Sequence, residues 1–286
     1  MRLSSLLTLA CAITAFVLSI LCLLAGDKRT FLQDTEILTL NISRLGHGSL
    51  FDTSSGDSGL LSSLSSTIQQ DINDIIGDAT TDIASLLGLP DFFNVHVTDY
   101  CQGTYSPNST VHHAKQNVTE CSNSTLGFHF QPTKIVQDLL PAGITLDDIH
   151  WPSDITDAEH TIKVVSRIMV IFYIIGIVLS GVAMFTAAAG IFTNGRLSAF
   201  FNWLVDLLAF IMLGVASAVA TAVMVIATNR INKYTDQIGI ASTKGGKFLA
   251  ITWAATAVML LASFVSIVQC CVGRPRPKRY SAKDGY

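Results

Sequence analysis

The chain has 286 residues, half of them hydrophobic and only 14% charged, and its mean hydropathy of +0.48 is too apolar for an ordinary soluble domain of this length. A formal net charge of −3 says little about partners, because opposite charges can sit on opposite sides of a bilayer, and it carries no nucleic-acid signal. The apolar residues gather in four stretches, Leu6 to Ala25, Ile168 to Ile191, Leu204 to Ala227 and Phe248 to Val268. Each reaches the roughly 20 residues an α-helix needs to cross about 30 Å of hydrocarbon.

The first stretch follows a minimal positive start at Arg2 and ends in Ala25-Gly26, which also suits a secretory signal peptide. Its apolar run exceeds the roughly 7 to 15 residues of such a segment, so residues 1–26 are expected to be a transmembrane anchor. Residues 27–167 follow as one polar loop that holds every Asn-X-Ser/Thr sequon of the chain, at Asn41, Asn108, Asn117 and Asn123. Glycan transfer requires the secretory lumen, so this loop is expected outside the cell, with chance sequons in a Ser/Thr-rich loop as the alternative.

Within the loop, residues 46–66 are rich in Ser, Gly and Asp and read as a flexible stalk, with a folded part expected over 67–160. From Leu60 to Leu87 the residues Leu64, Ile68, Ile72, Ile75, Ile76, Ile83 and Leu86 recur at helical spacing, with Gly88 and Pro90 as a stop. The alternation from Asp91 to Cys101 predicts one short strand. Cys101 and Cys121 are the two cysteines of the loop among six in the chain, so an oxidising compartment would join them, with free thiols as the alternative. All seven histidines also lie here, including His96, His112 and His113; solvated side chains are expected rather than a pH sensor or a metal site.

Residues 168–272 hold three further spans, and 273–286 form a short basic tail. Four spans and an external loop put both termini in the cytoplasm, and the tail's basic residues agree with the positive-inside bias. Arg230, Lys233, Lys244 and Lys247, outside between the last two spans, go against it. Small residues at four-residue spacing, Cys11, Ala15 and Ser19, then Gly176 and Ser180, then Gly214, Ala218 and Ala222, then Ala250 and Ala254, predict faces for packing a bundle or for contact with another copy. Asp206, the one formal charge inside these stretches, is expected near the cytoplasmic start of its helix, satisfied there by water, Asn202 or Arg196. Cys270 and Cys271 are candidate palmitoylation sites, and Arg274, Arg276, Lys278 and Arg279 candidate contacts to an anionic inner leaflet.

The Tyr100-Cys101-Gln102-Gly103 turn, the segment Asn117 to Ser122, Phe128-His129-Phe130 with Pro132, and the Trp151-Pro152 approach to the second span resemble the fungal Sur-seven and PalI family of four-span plasma-membrane proteins, distantly likened to claudins. That resemblance implies a mainly α fold, a four-helix transmembrane bundle with a large, disulfide-bearing, glycosylated first extracellular loop. It further implies an organiser of cortical membrane domains, the eisosomes, or an accessory protein of ambient-pH signalling. The short tail ending at Tyr286 favours the organiser, and the missing claudin tryptophan arrangement leaves barrier function out. Nothing in the chain resembles a nucleophile and base pair, a metal cluster or a phosphate-cradling loop, so no enzyme activity and no cofactor are expected. The expected partners are membrane lipids and, laterally, the protein itself or other cortical membrane proteins.

Overall fold

The computed structural model describes residues 2–44, 90–107, 114–126, 131, 133–134, 137, 153–192, 196–235 and 240–271. The stalk, the amphipathic helix over 60–87, the Asn108 sequon and the basic tail lie outside them. Four helices cross: α1 (Arg2–Leu24), α2 (Ser153–Phe192), α3 (Arg196–Thr235) and α4 (Gly246–Cys271). All four are long and apolar enough to span a membrane. At 1.5 Å per residue α1 and α4 match one bilayer, whereas α2 and α3, each of 40 residues, reach about 60 Å and must project beyond it.

The projecting end carries a five-stranded antiparallel sheet built from β1 (Leu38–Asn41), β2 (Phe92–Val95), β3 (Tyr100–Ser106), β4 (Lys115–Cys121) and β5 (Ala241–Lys244), in the order β4-β3-β2-β1-β5. The single strand expected over 91–101 is therefore two strands and a turn. The alternation continues through that turn because Val97 is buried in the helix-bundle core, while the His96 N–H donates to the Asp99 carbonyl at 2.9 Å and closes the bend. The folded part is also wider than 67–160: β1 precedes the stalk, and β5 comes from the connection between α3 and α4. Leu38, Leu40, Ile42, Phe93 and Val95 pack on Ala227, Ile231 and Ile240, so the upper part of α3 is the sheet's support.

Two glycines permit close backbone contacts within the sheet. A Cβ on Gly245 would lie 1.7 Å from the Glu36 carbonyl oxygen, and the Gly245 N–H donates to the Ile37 carbonyl at 2.9 Å, so β5 is laid against β1 by backbone contact alone. Gly103 sits at the β3–β4 register shift, where a Cβ would lie 2.2 Å from the Asn117 carbonyl oxygen.

Inside the bundle, Gly176 lets α2 close on Leu213 of α3, and Ser217 joins α3 to α4 through Thr252 and Thr256 at 2.8 and 3.0 Å. The Tyr173 hydroxyl reaches the same Thr252 from α2. Such small residues and interhelical hydrogen bonds replace the hydrophobic drive that lipid does not supply. Of the expected small-residue faces, Cys11, Ala15 and Ser19 on α1 and Gly176 and Ser180 on α2 are buried. The other two turn mostly the opposite way: Gly214 is half-buried against Thr256 of α4, but Ala218, Ala222, Ala250 and Ala254 are exposed, while Ala209, Leu213, Ala216, Ser217, Ala220 and Met224 face inward from α3. The seam itself is lined by a different set of small residues, Ala209, Ala216, Ser217 and Ala220 on α3 and Ala255, Thr256 and Ala262 on α4, with Leu213, Met224 and Met259 between them.

Asp206 has Asn202 as a partner, as expected, but departs from expectation in its position. It is the eleventh residue of α3, beyond the free N–H groups of the first turn, and it is fully buried. Its Oδ2 accepts from Ser266 Oγ at 2.6 Å and Asn202 Nδ2 at 3.1 Å, and Asn202 in turn accepts from Thr186 Oγ1 at 2.7 Å. The carboxylate is thus a knot between α2, α3 and α4, with a partner on the fourth helix that the sequence does not single out.

Candidate functional site

The chemistry-bearing residues gather where the sheet meets the end of α1. Helix α1 stops at Leu24, and Gly26, at φ +90°, turns the chain away. A Cβ at Gly26 would come within 2.5 Å of Asp99 Oδ1 and of the His96 ring, so this glycine opens the space in which the β2–β3 turn seats its two ionisable side chains. His96 and Asp99 are both buried, with Nδ1 and Oδ1 3.4 Å apart. Neither the two ring nitrogens nor the two carboxylate oxygens has a hydrogen-bond partner. His96 therefore differs from the expected solvated histidine. Its two-residue gap to Asp99 and the position of Cys101 just beyond were the available signal, but only the turn brings them together.

Cys101 and Cys121 stand opposite each other across β3 and β4 and form a disulfide, with S–S 2.08 Å. Cys101 is fully buried, and its Sγ lies 3.4 Å from the Gly26 carbonyl oxygen; Cys121 on the outer strand is half-buried. Closing this loop stabilises the sheet by roughly 3 kcal/mol.

The described sequons occupy unlike surroundings. Asn117 lies exposed on β4, an edge strand, and Asn123 is exposed just after it. Asn41 belongs to β1, which is paired on both sides, and its Oδ1 accepts from the Ser43 N–H at 3.0 Å and from the buried Ser43 hydroxyl at 2.7 Å. At the start of α4, Asp34 and Lys247 pair at 2.6 Å beside Glu36 and Gln116 along an open groove. Burial pushes the Glu36 carboxyl up, with its own backbone hydrogen bond, His96 and Lys247 opposing. Cys270 and Cys271 end α4, partly and fully exposed respectively.

Four apolar helices with a disulfide-bearing loop between the first two define a multi-pass membrane protein. The family model described as the SUR7/PalI family matches residues 4–265, nearly the whole chain, and the chain belongs to that family. No curated protein and no solved structure matches it.

Proposed function

We infer that this is a non-enzymatic plasma-membrane protein of a fungus that helps organise a cortical, eisosome-like membrane domain by lateral contacts, with both termini in the cytoplasm and the sheet outside. The observation that carries this reading is the outer surface of the bundle. Ala218 and Ala222 on α3 and Ala250 and Ala254 on α4, two helices in contact, are exposed small residues at four-residue spacing, where another helix can approach closely. Trp253, which donates to Thr221 Oγ1 at 3.1 Å, stands among them and fixes the seam between the two helices. The family supports a membrane role and the cysteine pair at the end of α4 supports lipidation that would favour ordered lipid patches.

Imaging a tagged chain tests this directly. Stable cortical puncta are expected for the natural sequence, dispersing when Ala218 and Ala254 are both replaced by Leu while surface levels hold. A diffuse natural protein would end the reading. The second reading, an accessory of ambient-pH signalling, is favoured by the buried His96–Asp99 pair outside the membrane. It requires that deletion abolish the alkaline response and that His96→Gln reproduce the defect with the puncta intact.

A further inference from the structure

Among the described residues, His96, Asp99 and Cys101 bring a ring nitrogen, a carboxylate oxygen and a sulfur to within 4.8 Å of one another, all three side chains buried. The four nitrogen and oxygen atoms of His96 and Asp99 have no hydrogen-bond partner, whereas buried polar atoms are nearly always paired. The 3.4 Å between Nδ1 and Oδ1 suits a shared metal, because two ligands each about 2.0 Å from a tetrahedral zinc stand about 3.3 Å apart. The donor set of imidazole, carboxylate and thiolate is one that zinc accepts.

We propose that His96, Asp99 and the Cys101 thiolate form a zinc site that exists when the Cys101–Cys121 disulfide is open, so that metal and disulfide compete for one sulfur. The frame for it does not depend on the disulfide. Cys101 is registered opposite Asn94 by the β2–β3 ladder, and the 96–99 turn is closed by its own backbone hydrogen bond. Gly26, having no Cβ, lets the His96 and Asp99 side chains pack against the backbone there, and its carbonyl oxygen, 3.4 Å from the Cys101 sulfur, is a further oxygen donor nearby.

Exposure decides how the bond opens. A thiolate of an external dithiol attacks the more accessible Cys121 Sγ, the S–S bond breaks, and the electron pair leaves on Cys101 Sγ. The dithiol's second thiol resolves the mixed disulfide, so the reductant becomes a cyclic disulfide and Cys121 a thiol. Cys101 then binds zinc in place of the proton it would otherwise take up. An external disulfide reverses the exchange: the Cys121 thiolate attacks it and releases one thiolate, the Cys101 thiolate then leaves zinc and attacks Cys121 Sγ of the mixed disulfide, and the bridge re-forms as the oxidant departs as a dithiol and the metal is released. This goes beyond lateral organisation: it would give the external sheet a response to thiol and zinc levels.

The test uses the full chain in detergent micelles, carrying Cys270→Ser and Cys271→Ser to remove the other exposed thiols. After reduction by a dithiol and removal of excess reductant, zinc is expected to slow alkylation of Cys101 at least about tenfold while leaving Cys121 unprotected, as read by peptide mass. Equal rates at Cys101 with and without zinc would overturn the proposal. A second arm needs no reductant: Cys121→Ser frees Cys101, and one equivalent of cobalt should give a sulfur-to-cobalt charge-transfer band. That band should be lost in His96→Gln and Asp99→Asn proteins whose circular dichroism is unchanged. A band that survives both substitutions, or none in Cys121→Ser, counts equally against the site.

Discussion

Glu36 shows how one side chain can carry a cost of assembly. It lies where β5 is pressed onto β1, and burial disfavours its charged form. A native pKa above the unfolded one means that its contribution to stability is full below the ordinary glutamate range and is lost as pH rises through the raised native value. Glu36→Gln, a permanent mimic of the neutral acid, should therefore gain thermal stability over the natural chain at neutral pH and gain nothing in acid. Melting curves at pH values on both sides of the carboxylate range measure this; a neutral-pH loss would contradict the burial argument. Gly245 lies at the same junction, and Gly245→Ala must push backbone from backbone. An overpacking cost of about 1–3 kcal/mol is expected, seen as a lower melting temperature and earlier proteolysis of β5.

Among elements, the pairing of β4 onto β3 is braced by the bridge, while the β2–β3 turn is held by its own backbone hydrogen bonds. Replacing both cysteines by Ser should lower unfolding free energy by roughly 3 kcal/mol without changing helix content, measured by denaturation followed through tryptophan-independent circular dichroism. In the bundle, Asp206→Ala should cost about 1–3 kcal/mol, because the buried Ser266 hydroxyl loses its acceptor and Asn202 keeps only Ser266 Oγ, while Asp206→Asn keeps an acceptor oxygen and should cost less. Thermal unfolding of the two variants side by side separates a structural knot from a charge requirement. The helices were legible because apolar length alone specifies a span. Their inward faces were less so: in lipid, apolar and small residues are both acceptable outside, and the stripe through Ala218 and Ala222 has the same period as the buried stripe through Leu213 and Ser217. Asp206 was conspicuous in the sequence, but Ser266 was not, since nothing local marks a serine sixty residues away as its donor.

At the scale of the whole molecule, the sheet was the least legible part. Leu38 to Asn41 is too short to stand out as a strand, and Ala241 to Lys244 has no apolar alternation; both exist because long-range pairing and the Ala227–Ile231 surface of α3 hold them. The pairing Cys101 to Cys121 was legible from compartment and count, whereas the meeting of His96 and Asp99 under Gly26 depended on a turn that periodicity does not reveal. The same sheet sorts the sequons. Single Asn117→Gln and Asn123→Gln substitutions should each increase gel mobility by one glycan, whereas Asn41→Gln should leave it unchanged; the reverse pattern would mean that glycans are added before the sheet closes. That order matters during synthesis, because β1 is bordered by strands that emerge far apart in time, β2 from the first loop and β5 after α3. Until β5 has been synthesised, β1 lacks that neighbour and presents an unpaired edge, the kind of edge that favours wrong pairing. The sheet is thus completed late: its last strand reaches β1 only after the first three helices and the connection beyond them have been made.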